Sequence, residues 1–144
     1  MTKDYFAYGT LMCEDIMLAV TGSHFSRTAG FLRDYRRLAV KDEVYPGILP
    51  ERGRVVEGIV YRELPDIAWA RLDAFEGEMY QRQIVSVNLA DSASVEVYTF
   101  VVRPEFENRL DSSEWNFEKF LQSGKKTFET HYAGFKVLKN AHRP

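Results

Sequence analysis

The sequence is poor in the residue types that announce metal, redox or serine-nucleophile chemistry. Cys13 is its only cysteine, so the chain can form no internal disulfide and no cysteine-rich zinc site; a lone thiol fits a reducing, cytoplasmic compartment. Its three histidines, His24, His131 and His142, are scattered and do not repair that deficit. There is no Gly-x-Ser-x-Gly turn to expose a nucleophilic serine, which sets that class aside. Neither sign of charge dominates, because 19 Lys and Arg face 21 Asp and Glu for a net charge of −2 with no dense basic run. A nucleic acid or an anionic membrane held through phosphates is therefore a poor fit, and a small neutral or zwitterionic partner a better one. No apolar run approaches bilayer length, and the first dozen residues carry Asp4 and tyrosines where a secretion signal has a basic start and an apolar stretch. Repeats, low-complexity tracts and long linkers are also lacking. What is present, 144 residues of which 45% are hydrophobic, can bury one sizeable core, so residues 1–144 are expected to form a single domain.

Local patterns predict an α+β chain. Tyr5-Phe6-Ala7-Tyr8 reads as a short strand ended by Gly9, and Met12 to Val20 as a short helix with Ile16, Met17 and Val20 on one face. Phe31 to Val40 and Val55 to Tyr61 are β-rich, with Gly58 expected to mark a bulge or bend, and Lys41 to Arg54 between them reads as turn. Pro65 opens a helix on which Ala68, Leu72 and Phe75 recur at i, i+4 and i+7 until Gly77 stops it. Alternation over Val85 to Leu89 and Val95 to Val101 predicts a β-hairpin. Asp111 and Glu114 have capping-box spacing, so a last helix is expected from near Ser112, with Phe117, Phe120 and Leu121 on its apolar stripe. Strands joined directly to strands imply a strongly curved sheet.

Two places can carry chemistry. The Tyr8-Gly9-Thr10-Leu11 turn lies between a strand end and a helix start, where unpaired backbone N–H groups can hold a carboxylate or phosphate; an ordinary tight turn has the same pattern. Glu76 ends an amphipathic helix and so puts a carboxylate at the negative end of the dipole, against a local rule, which points to a role; a solvated glutamate at a frayed end reads the same way. Asp73, Glu78 and Arg82 read as solvated charges.

The whole string resembles the gamma-glutamylcyclotransferase-like family. The resemblance rests on Tyr8-Gly9-Thr10-Leu11, Tyr45-Pro46-Gly47-Ile48-Leu49-Pro50, Val56-Glu57-Gly58-Ile59-Val60-Tyr61 and Leu72-Asp73-Ala74-Phe75-Glu76-Gly77-Glu78-Met79-Tyr80-Gln81-Arg82, in that order and spacing. Val95-Glu96-Val97-Tyr98 and Trp115-Asn116-Phe117-Glu118 extend it toward the branch that includes plant avirulence-induced proteins. It implies a small closed, mixed β-barrel with flanking helices and a cavity into which the first loop and Glu76 converge. It also implies that backbone amides of Tyr8, Gly9, Thr10 and Leu11 hold a substrate carboxylate and that Glu76 is the acid/base. Tyr80, Tyr98 and Trp115 become candidate substrate-lining aromatics, and Thr10 retains a hydroxyl where serine is more usual.

The implied reaction is intramolecular: the α-amine of a γ-glutamyl group attacks its own γ-amide carbonyl, giving 5-oxoproline and a free amine. It calls for no metal or organic cofactor. An α-amine near pKa ~8 is mostly protonated at neutral pH, so a base must take its proton. Burial of Glu76 beside Phe75, Met79 and Tyr80 would lift it from ~4.3 toward the range in which a carboxylate can do so. Two other readings share these residues, a binding module that keeps the cavity without turnover and an amide hydrolase in which Glu76 activates water.

Overall fold

The computed structural model describes residues 2–141; His142 lies outside them. Strand β1 (Lys3–Ala7) leads through a 3-10 turn (Thr10–Met12) into helix α1 (Glu14–Thr21), then come β2 (Arg27–Val40) and β3 (Pro46–Leu64). Helix α2 (Asp66–Glu76) precedes the hairpin of β4 (Tyr80–Leu89) and β5 (Ser94–Val102), and a second 3-10 turn (Pro104–Arg109) leads to β6 (Leu110–Glu114). The remainder is helical: α3 (Phe117–Lys119), a π turn (Phe120–Gly124), α4 (Lys125–His131) and α5 (Ala133–Ala141).

The strands run in the order β3-β1-β5-β4-β2-β6, and the additional β2–β3 pairing closes the first five into a barrel with β6 as an extra strand outside the ring. All pairings are antiparallel except β1–β5, where Tyr5 faces Tyr98. Period-2 alternation sorts the side chains. Phe6, Leu32, Val56, Val60, Val87 and Val97 pack together inside the barrel. Tyr5 and Ala7 point the other way, into a second core with Ile16, Met17 and Val20 of α1 and Ala68, Trp69, Leu72 and Phe75 of α2. Helix α2 therefore lies on the barrel wall with its last turn at the end of β1, which is what brings Glu76 to the first loop.

Three expectations need correction. No register shift occurs at Gly58, which pairs in step with Gly30; the irregularity lies between Arg33 and Tyr35, where Asp34 has φ 65°. Gly58 is required by close approach instead, since a Cβ there would strike the Ala7 carbonyl oxygen and come within 2.7 Å of the Phe6 ring. Residues 46–54 are strand, not turn. Pro46 is the first residue of β3 and Pro50 pairs with Tyr35 beside the irregularity, two places where a missing N–H is tolerated. The helix expected from Ser112 starts at Phe117: Leu110–Glu114 pairs with β2 through Val40↔Leu110 and Leu38↔Glu114, and the cap is Asn116, whose Oδ1 accepts the Lys119 N–H at 2.9 Å. Leu110 is buried against the barrel, and that tertiary contact outweighs the capping-box pattern.

Gly58→Ala is expected to destabilise the fold by about 1–3 kcal/mol, the cost of forcing atoms into a packed site. Denaturant unfolding checks it, and an unchanged midpoint would contradict the close approach of β1 and β3.

Candidate active site

Glu76 is the last residue of α2, and Gly77, with φ 78°, turns the chain away while its N–H donates to the Asp73 carbonyl at 3.3 Å. Across from it is the first loop. Its internal hydrogen bonding begins with the Met12 N–H on the Gly9 carbonyl at 3.0 Å, so the N–H groups of Thr10 and Leu11 stand ahead of the first closed turn. Gly9 has no room for a side chain, since a Cβ would lie 2.8 Å from Pro46 Cγ. Behind the loop, Arg37 Nη1 donates to the Tyr8 carbonyl at 2.7 Å and to the Glu57 carbonyl at 3.0 Å, fixing the peptide that enters the turn.

Glu76, Gly9, Thr10 and Leu11 line one cavity with a water-accessible volume of about 20 Å³. Tyr5, Tyr8, Tyr45, Pro46, Phe75, Tyr80, Phe128 and Tyr132 complete its lining. Among the described residues, no lysine, arginine or histidine lines it. Three of the five lining tyrosines commit their hydroxyls to backbone: Tyr8 donates to the Phe100 carbonyl and Tyr80 to the Pro46 carbonyl, each at 2.7 Å, while Tyr132 donates to the Glu76 carbonyl at 3.3 Å. Burial holds Tyr5, Tyr8 and Tyr80 well above their ordinary range, with the Glu76 charge adding to it, so these phenols are neutral.

This setting acts strongly on Glu76. The residue is half-buried by area and lines the cavity, where the packed aromatics strip hydration from its carboxyl. Desolvation, with Asp73 one turn earlier adding like charge, pushes Glu76 from its ordinary 4.5 to about 8. Asp73 is itself exposed and meets Arg82 at 3.5 Å.

Two expected lining residues lie elsewhere. Tyr98 is on the outer face of β5, edge-on to Trp69 with Arg82 and Lys3 over its ring. Trp115 packs on Phe117 and Phe120 and donates its Nε1 hydrogen to the Val44 carbonyl at 2.8 Å, which ties the β2–β3 turn to the C-terminal helices. Tyr5, Tyr45, Phe128 and Tyr132 line the cavity too; Phe128 is in α4 and Tyr132 is its C-cap, with no local signal in the sequence that places them here.

A closed five-stranded mixed barrel, with a desolvated carboxyl and a free-amide loop sharing one cavity, defines a compact small-molecule site. The family model described as gamma-glutamyl cyclotransferase, AIG2-like matches residues 5–117, and the chain belongs to that family. It is 32% identical to AIG2-like protein C of Arabidopsis thaliana over 142 residues, covering 98% of this chain and 81% of that protein. To AIG2-like protein D of the same plant it is 31% identical over 119 residues, 81% of this chain and 78% of the relative. An Arabidopsis thaliana solution structure superposes with a TM-score of 0.72 at 24% identity, covering all of this chain and 86% of that one. A gamma-glutamyl cyclotransferase structure does so with a TM-score of 0.68 at 18% identity, covering 96% and 87%. At these identities the two superpositions speak to the fold alone.

The Glu76 shift has a consequence for stability. The unfolded chain releases this proton near 4.5 and the folded chain near 8, so the site's contribution to stability is complete below 4.5 and is lost as pH rises toward 8. Glu76→Gln has no such proton to lose and should raise Tm over the wild type by more at about pH 9 than at about pH 5. Equal differences at the two pH values would contradict the shift.

Proposed function

We propose that this protein is a gamma-glutamyl cyclotransferase, and the observation that carries the reading is that Glu76, whose carboxyl pKa is raised by burial, lines the same cavity as the Gly9 to Leu11 loop. The substrate's α-carboxylate sits on the Gly9 to Leu11 amides, whose backbone donors favour an anion there. Glu76, as carboxylate, takes a proton from the α-ammonium; with its value at about 8 against ~8 for an α-amine, the transfer is nearly balanced. The freed nitrogen lone pair attacks the γ-carbonyl carbon, closing the five-membered ring. Glu76 then returns the proton to the leaving nitrogen and the C–N bond breaks; the second proton of the ring nitrogen passes through the Glu76 carboxylate to the released amine, so that 5-oxoproline and the amine, as its ammonium, depart. Attacker and target share one molecule, so the cavity's main task is to hold the ring-closing shape.

Glu76→Gln keeps shape but accepts no proton, and is expected to slow 5-oxoproline release by about 10²- to 10⁴-fold while leaving the binding of a γ-glutamyl ligand far less changed. In the wild type, kcat/KM should fall as pH drops below about 8, because protonated Glu76 is no longer a base. Mass-spectrometric product analysis over a panel of γ-glutamyl compounds tests the reaction itself. Release of glutamate in place of 5-oxoproline would make the protein a hydrolase, binding without turnover would make it a binding module, and near-wild-type turnover by Glu76→Gln would remove Glu76 from the chemistry.

A further inference from the structure

The cavity is too small for the substrate this reading assigns to it. A water-accessible volume of about 20 Å³ holds about one water, and a γ-glutamyl group is many times larger. One wall has to give, and the walls differ in how firmly they are held. On the barrel side, Tyr8 and Tyr80 are pinned by 2.7 Å hydrogen bonds, Tyr61 donates to the Leu11 carbonyl at 2.7 Å, and Tyr5 is wedged edge-on against Trp69 and Phe100. On the helical side, Phe128 is buried, and Lys125 grips Asp15 of α1 at 2.6 Å. Gly134 lies so close to the Phe75 carbonyl that a Cβ would strike it, and Leu138 is buried beyond it.

Tyr132 lies between those fixed points, and its side chain is held by ring packing and one long hydrogen bond. It is the non-helical residue between α4 and α5, with φ −66° and ψ 126°; its backbone N–H donates to the Phe128 carbonyl at 3.0 Å, but its side chain is half-buried and its hydroxyl makes the long bond to the Glu76 carbonyl. Its ring rests on Phe128 at 4.6 Å, Phe75 at 4.8 Å and Tyr45 at 5.1 Å between centroids, roofing the carboxyl end of α2. It also lies beyond residues 5–117, outside the stretch that the family model spans.

We propose that Tyr132 is the gate of this site and its specificity-determining residue: its side chain swings off Glu76 to admit the γ-glutamyl group, and its ring limits the size of the group on the leaving nitrogen. The inference rests on the cyclotransferase reading and deepens it. Opening the gate admits water to Glu76, so entry and basicity are coupled. The other groups facing Glu76 are Asp73 from its own helix, Tyr5 from β1, Tyr8 after it, Tyr45 before β3 and Tyr80 from β4, none of them cationic.

The test compares wild type, Tyr132→Phe and Tyr132→Ala on the γ-glutamyl amides of methylamine and of phenethylamine, with thermal unfolding to establish that each is folded. Tyr132→Ala is expected to raise kcat/KM for the phenethylamide relative to the methylamide by roughly tenfold, the scale on which pocket size discriminates apolar groups. It should also move the acid limb of the pH profile to lower pH, because water replaces the ring over Glu76. Tyr132→Phe keeps the ring and should keep both the selectivity and the limb. An active wild type whose selectivity and acid limb are unchanged in folded Tyr132→Ala overturns the gate alone. A wild type that releases no 5-oxoproline from either amide overturns the cyclotransferase reading beneath it.

Discussion

Everything distinctive about this molecule depends on the burial of one carboxyl at the wrong end of a helix. Glu76 faces the C-terminal end of the α2 dipole, has Asp73 one turn behind it, and is enclosed by aromatic side chains, and each of these disfavours its charge. Among the described residues, no cation lines the cavity to relieve it. A carboxyl in such a setting holds its proton into the range where amines exchange theirs, and the fold accepts the cost of that placement.

The barrel makes the placement possible. Because β1 pairs with both β3 and β5, it is central to the ring, and the loop at its end is fixed on three sides: by Arg37 on the Tyr8 carbonyl, by Tyr61 on the Leu11 carbonyl, and by Pro46 against Gly9. Trp69, Leu72 and Phe75 seat α2 on the outer face of the same strand, so loop and carboxyl share one rigid support. The tyrosines around them do a different job. With their hydroxyl hydrogens directed to the carbonyls of Phe100 and Pro46, Tyr8 and Tyr80 offer the cavity ring faces and neutral oxygens, not acids.

Much of this was legible in the sequence where local pattern and tertiary demand agree. The alternation in β4 and β5 and the Ala68, Leu72, Phe75 stripe gave their elements to within a few residues, and Glu76 stood out by breaking the dipole rule. Local pattern misled where a long-range contact decided the outcome. Asp111 and Glu114 have the spacing of a cap, yet Leu110 is drawn onto the barrel and the segment becomes strand; Pro46 and Pro50 look like turn residues, yet pairing with β2 holds them in β3. Tyr98 and Trp115 were read as cavity aromatics on resemblance, and nothing local could reveal that one stacks under Arg82 and the other ties down Val44. Tyr132 is a further case: it caps α4, and only the packing of Tyr132 and Phe135 on Phe75 shows that this end of the chain covers the site.

The central claim, that the fold desolvates Glu76 and thereby makes it a base, is most directly tested by following its side-chain carboxyl carbon by NMR in protein labelled with ¹³C-glutamate, assigned by comparison with Glu76→Gln. A titration midpoint near 8 is the result predicted. A midpoint near the ordinary 4.5 would mean that the carboxyl is hydrated in solution and that the aromatic enclosure does not set its chemistry.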